Sequence, residues 1–207
     1  MATILKIGVD VDGCLANFNQ AFAQKFRLHG FVIPQELADN PPTWDWPQNT
    51  CGFSDNLVTG IWNEIDRDTE FWMNLEPLPG AIAALDTLDN LAEEGHEIVF
   101  MTLRRGDRAK RQTEIWLEQH GMTFPTVLTT PQGKARPAYE LGLTHVVDDY
   151  PRILQDYCLH AQALKPYPAI YMVEHLYNQE CKAWPLTPVK SVGEMLDMIL
   201  DHKEQAA

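Results

Sequence analysis

Two aspartates separated by one valine, Asp10 and Asp12, close the apolar run ILKIGV near the start of the chain. Carboxylates this close repel, so the pair makes chemical sense where a cation sits among them or where one member keeps a proton. More oxygen-bearing side chains end other apolar runs: Thr102 closes HEIVFMT, and Asp148 and Asp149 close THVVDD. Lys134 opens the helix-like stretch KARPAYELG between those two runs. Hard oxygen donors of this kind suit Mg²⁺, which is held by one or two carboxylates, waters and a phosphate. No His/Cys cluster competes for a softer metal.

These residues work together only if a fold gathers them. The runs at 4–9, 96–102 and 144–148 read as buried parallel strands, with 124–129 and 168–173 as weaker candidates. Helical spacing covers about 79–94, 108–120, 133–142, 151–160 and 191–202, so strands alternate with helices. That alternation predicts an α/β fold: a doubly wound, mainly parallel, Rossmann-like sheet. In such sheets the site lies beyond the carboxyl ends of the strands, where Asp10, Asp12, Thr102, Asp148 and Asp149 all fall. Residues 18–75 break the rhythm. The stripe Phe18, Phe22, Phe26 predicts an amphipathic helix, a Pro- and Trp-rich loop follows, and a second helical piece covers 55–67. The segment is expected to be a small helical insertion, or cap, after the first strand, with 1–17 and 76–207 forming the core domain.

Composition narrows the function. A formal net charge of −13 and a pI near 4.8 disfavour a polymeric nucleic-acid partner. No run approaches a membrane span and no signal-peptide pattern opens the chain. Four dispersed cysteines read as reduced thiols, so a cytoplasmic location is expected. No cysteine is followed six residues later by arginine, and no Gly-rich phosphate loop is present.

Four segments, DVDGCLANF, VFMT, Lys134 and VVDDYP, occur in the order of the four motifs of the haloacid dehalogenase-like phosphatase superfamily, which the chain resembles. The likeness is closer to the 5′(3′)-deoxyribonucleotidases, through the D-G-x-L-A-x-F continuation, the cap after motif one, and the segments FWMNLEPLPGA and HLYNQECKAWP. The resemblance implies that Asp10 is a nucleophile forming an aspartyl phosphate and that Asp12 is the general acid and base. It implies Mg²⁺ held by Asp10, the Asp12 backbone carbonyl and Asp148, with Asp149 orienting that site. Thr102 and Lys134 would hold the phosphoryl oxygens. The implied substrate is a small (deoxy)ribonucleoside monophosphate, and a homodimer is the family expectation. Leu103 and Tyr150 depart from the family, where a hydroxyl and an arginine often stand.

The resemblance makes Phe18, Trp44, Trp46 and Trp62 the candidates for the base pocket. Packing of the cap's own core is the alternative for all four. Trp72, Trp116 and Trp184 are expected in the core, and Arg104 and Arg105 in an exposed charged loop. The competing functions are hydrolysis of another phosphomonoester, such as a sugar phosphate, and non-catalytic nucleotide binding on the same fold.

Overall fold

The computed structural model describes residues 4–163 and 165–205. Among these residues six strands form one sheet: β1 (Lys6–Val9), β2 (Glu97–Thr102), β3 (Val127–Thr129), β4 (His145–Asp148), β5 (Ala169–Val173) and β6 (Thr187–Val189). Their spatial order is β3-β2-β1-β4-β5-β6, and every pairing is parallel. The expected Rossmann-like sheet is therefore present, with strand order reversing beside β1. Ile7 and Val9 of β1 are fully buried, as a strand covered on both faces requires.

Two strands differ from the sequence reading. The run at 124–129 shortens to β3, because Phe124 takes a left-handed backbone (φ 53°) and Pro125 follows it. β6 has no counterpart in the sequence reading, since three residues containing Pro188 make a poor strand signal. Pro188 is tolerated there because β6 is an edge strand.

The helical segment after β1 holds α1 (Phe18–Leu28), α2 (Gln35–Asp39), α3 (Trp46–Asn49) and α4 (Asp55–Arg67). Asn17 caps α1 by accepting from the Gln20 N–H, and Ser54 caps α4 by accepting from the Leu57 N–H. Phe18, Phe22 and Phe26 of α1 and Val58, Ile61 and Ile65 of α4 are all buried. They belong to one cluster of buried apolar side chains that runs from the sheet into this segment. A 3₁₀ turn, Phe71–Asn74, leads back to the sheet. It is tied to α6 (Ala109–Gln119) by the Trp72 N–H donating to Gln112 Oε1 and the Trp116 indole N–H donating to the Leu75 carbonyl.

The sheet is flanked by α5 (Ala81–Glu93), α6, α7 (Ala135–Glu140), α8 (Pro151–Ala163) and α9 (Val192–Gln205). No helix among the described residues is long and apolar enough to cross a membrane.

Candidate active site

The strand ends converge as expected. Asp10 follows β1 and donates its N–H to the Val147 carbonyl of β4, which locks the two strand ends together. Lys134, at the entrance to α7, reaches between them: its Nζ lies 2.6 Å from Asp10 Oδ1 and 2.7 Å from Asp148 Oδ2. Asp148 Oδ1 accepts the N–H groups of Asp149 and Tyr150, which turns the chain sharply at the end of β4. Asp149 accepts from the Tyr177 hydroxyl, and the Asn178 amide donates to the Asp149 and Val173 carbonyls. His175 Nε2 pairs with the Gly13 carbonyl at 2.8 Å. The HLYN segment after β5 thus braces motifs one and four.

The electrostatics are lopsided. Three carboxylates, Asp10, Asp148 and Asp149, are buried with one ammonium, Lys134. Burial pushes the Asp10 carboxyl well up, and Lys134 only partly offsets it because Asp148, Asp149 and Asp12 push the same way. Asp149 is likewise pushed up to about 7 by burial and Asp148. Burial pulls the Lys134 ammonium down, but Asp10 and Asp148 outweigh it and hold it protonated. Asp10, Asp149 and the Cys14 thiol bring ligand-capable atoms within 4.8 Å of one another. Burial and Asp149 push the Cys14 thiol up, so it is neutral.

Above this cluster lies a cavity of about 250 Å³. Asp10, Asp12, Lys134 and Arg104 are among its polar lining residues, and Phe18, Trp44, Trp62 and Trp72 are its aromatic ones. Leu103, Arg105 and Tyr150 also line it. Phe18 lies near-parallel to Trp62 and Trp72, with ring centroids 5.5 and 5.8 Å away. Trp44 stacks on Tyr150 at 4.0 Å.

Of the residues expected here, Asp10, Asp12, Lys134, Phe18, Trp44 and Trp62 line the cavity. Phe18 and Trp62 serve both readings, since they also pack with Phe22. Thr102, Asp148 and Asp149 are fully buried behind it; the Thr102 hydroxyl lies 3.4 Å from Asp12 Oδ2 and accepts the Arg104 N–H. Trp46 does not line the cavity. It packs edge-on to Phe22 within the helical segment, 1 % exposed, because α3 turns its first residue toward α1. Trp72 corrects in the other direction: it is buried like a core residue, yet its ring forms part of the cavity wall. Trp116 is a core residue, as expected, whereas Trp184 is only half-buried at the edge of a smaller apolar cluster.

Arg104 is the larger correction. The expected exposed loop residue has its side chain fully buried, with Nε and Nη2 forked onto both Asp12 oxygens at 2.8–3.2 Å. One signal was available: Arg104 is two residues beyond Thr102, so an extended chain puts both on one face. Arg105 does stay exposed, paired with Asp66 at 3.3 Å and lying over the Trp62 ring.

The chain is 29% identical to mitochondrial 5′(3′)-deoxyribonucleotidase of Mus musculus over 154 residues, 72% of this chain and 66% of that protein. It is 26% identical to the Homo sapiens counterpart over 157 residues, 72% of this chain and 64% of that one. The match spans slightly less than two thirds of either relative. The fold is shared with a crystal structure of a HAD family hydrolase from Deinococcus radiodurans R1 with bound phosphate and sodium. The TM-score is 0.62 at 13% identity, covering 99% of this chain and 98% of that one. A family model described as 5′ nucleotidase, deoxy (Pyrimidine), cytosolic type C protein matches residues 3–156, from before Asp10 to beyond Asp149. The chain therefore belongs to this deoxy-nucleotidase family, within the haloacid dehalogenase-like fold.

Proposed function

We propose that the protein is a Mg²⁺-dependent phosphatase of nucleoside monophosphates, deoxyribonucleotides foremost. The observation that carries this reading is one cavity lined both by Asp10, Asp12 and Lys134 and by the aromatic rings of Phe18, Trp44, Trp62 and Trp72. A phosphate placed beside Asp10 and Lys134 leaves a planar base among aromatic rings, and such stacking contributes about 1–3 kcal/mol. About 250 Å³ is small for a ligand site and suits one nucleotide better than a polymer. The excess of acidic over basic residues supports the same choice. Phosphate, bound in the Deinococcus hydrolase, is the product this reaction requires.

In the first step an Asp10 oxygen attacks phosphorus, the bond from phosphorus to the nucleoside oxygen breaks, and Asp12 gives that oxygen a proton. In the second step Asp12 takes a proton from water, whose oxygen attacks phosphorus and releases phosphate from Asp10. Lys134, fixed by Asp10 and Asp148, faces the cavity and is placed to meet phosphoryl charge. Residues 18–75 act as the cap that selects the substrate, and residues 1–17 and 76–207 as the catalytic core.

The donor set fits a hard divalent ion: three buried carboxylates face one ammonium, and burial already strains Asp10 toward its neutral form. Asp10, the Asp12 backbone carbonyl and Asp148 would hold Mg²⁺, with Asp149 beside them. When bound, the ion supplies the positive charge that keeps the carboxylates ionised and screens the phosphate. Four free cysteines support a reducing, cytoplasmic setting.

The test is a panel of deoxy- and ribonucleoside 5′- and 3′-monophosphates and sugar phosphates, with Mg²⁺ and with chelator. Turnover of deoxyribonucleotides that disappears with chelator is expected. A marked preference for a sugar phosphate over every nucleotide would overturn the substrate assignment.

A further inference from the structure

Arg104 is an unusual residue to find in a wholly buried position, and the described residues give it one ionic partner. Its side chain has no solvent exposure, while that of Asp12 keeps 18%. Nε lies 2.9 Å from Asp12 Oδ2 and Nη2 lies 2.8 Å from Asp12 Oδ1. Nη1 donates to Thr113 Oγ1 at 3.0 Å. The Thr113 hydroxyl in turn donates to the Ala109 carbonyl at 2.7 Å, so its lone pairs are left to face the guanidinium. The Trp72 ring covers one face of the guanidinium at 4.9 Å, and the Arg104 backbone N–H is pinned to Thr102 Oγ1 at 3.1 Å. All three guanidinium nitrogens are engaged.

A group bound this tightly is poorly placed to collect a substrate phosphate. It is well placed to aim a carboxylate. A planar fork paired with both carboxylate oxygens fixes the carboxylate plane as well as its position. An unpaired aspartate would sample several χ1 wells and a broad χ2. We propose that Arg104 is a positioning residue that aims Asp12 at the oxygen leaving phosphorus, an inference that rests on the phosphatase reading above. Its ionic partner among the described residues is Asp12, so the two side chains form one unit in the lining of the cavity. Misplacing a reacting group by about 1 Å costs on the order of 100-fold in rate.

The proposal separates two substrates by their leaving groups. A nucleoside leaves as an alkoxide and needs the Asp12 proton; p-nitrophenolate leaves without one. The second step, attack of water on the phosphoenzyme, needs Asp12 for both. The experiment is rapid-quench kinetics of the full chain with Mg²⁺, comparing wild type with Arg104→Ala and Arg104→Lys on a deoxynucleoside 5′-monophosphate and on p-nitrophenyl phosphate. In Arg104→Ala the first turnover of the nucleotide should fall about 100-fold with KM changed less than about threefold. The burst of p-nitrophenolate should stay within about threefold of wild type and be followed by a slow steady state. Arg104→Lys, which keeps the charge and loses the fork, should lie between them. Millimolar guanidinium should restore part of the Arg104→Ala rate.

If Arg104→Ala does not fold, Arg104→Lys and Thr113→Val carry the same comparison, the latter removing the Nη1 acceptor and expected to give a smaller loss of the same pattern. A parallel fall of both first turnovers, or unchanged nucleotide turnover, overturns the role of Arg104. Wild-type protein inert toward both phosphomonoesters overturns the phosphatase reading and this inference with it.

Discussion

Gly13 offers the sharpest test of how tightly motif one is packed against motif four. Its φ is +82°, a left-handed backbone, and a Cβ added there would lie 2.1 Å from Asp149 Oδ2 and 2.6 Å from its Cγ. That carboxyl has nowhere to retreat: it is fully buried, accepts from the Tyr177 hydroxyl and lies beside the Cys14 thiol. Gly30 has nearly the same backbone, φ +83°, with nothing within 4 Å of its would-be Cβ. Both Gly→Ala variants therefore meet the same left-handed cost of about 1–2 kcal/mol. Gly13→Ala adds about 1–3 kcal/mol of overpacking. At about 2–4 °C per kcal/mol for a chain of this size, Gly30→Ala should lower Tm by about 3–5 °C and Gly13→Ala by about 10 °C. Thermal unfolding followed by circular dichroism measures both. Adding Asp149→Ala to Gly13→Ala removes the atoms in conflict and should narrow the gap, as coupled neighbours do. If the two single variants melt within about 2 °C of each other, Gly13 is not packed against Asp149 and the close contact between motifs one and four is refuted.

Other predictions follow from the same contacts. Trp46→Ala should cost about 3–5 kcal/mol of stability, measured by urea unfolding, and leave nucleotide KM near wild type, whereas Phe18→Ala should raise KM roughly tenfold. A tenfold KM rise in Trp46→Ala would return it to the base pocket. Asp12→Ala leaves the buried Arg104 charge without its partner, so it should destabilise the wild type by about 1–3 kcal/mol more than it destabilises an Arg104→Met background. An additive double-mutant cycle would show the pair to be uncoupled. Burial, reinforced by His202, holds His145 below its usual 6.5, so the folded protein binds fewer protons than the unfolded chain. Stability is then complete above about pH 6.5 and declines as pH falls below it. His145→Gln should flatten that decline, and an identical pH profile in the variant would remove His145 as its source. Millimolar Mg²⁺ should raise Tm, by an amount equivalent to about 2.7 kcal/mol at a hundredfold excess over Kd, and Asp10→Asn should abolish the rise.

The chemical endowment of the site was written in the sequence, because motifs at strand ends need only local signals. Apolar runs closed by Asp10, Thr102 and Asp148 place those residues on one rim of any parallel sheet, whatever the details of packing. The helix-forming stripe Phe18, Phe22, Phe26 was equally local, and α1 lies where that spacing puts it. What required the tertiary structure was the choice of partners across long separations. Six tryptophans look alike in sequence. Only the approach of α3 to α1 sends Trp46 into the packing, and only the return of the chain at Phe71–Asn74 brings Trp72 to the cavity. β6 escaped notice because its stability comes from β5 beside it and not from its own three residues. Arg104 and Asp12 lie 92 residues apart in the chain, and a charge carries no mark of whether it will meet solvent or a carboxylate. Period and composition are properties of neighbours in sequence; burial and pairing are decided only when β1, β2 and α6 close around the same few atoms.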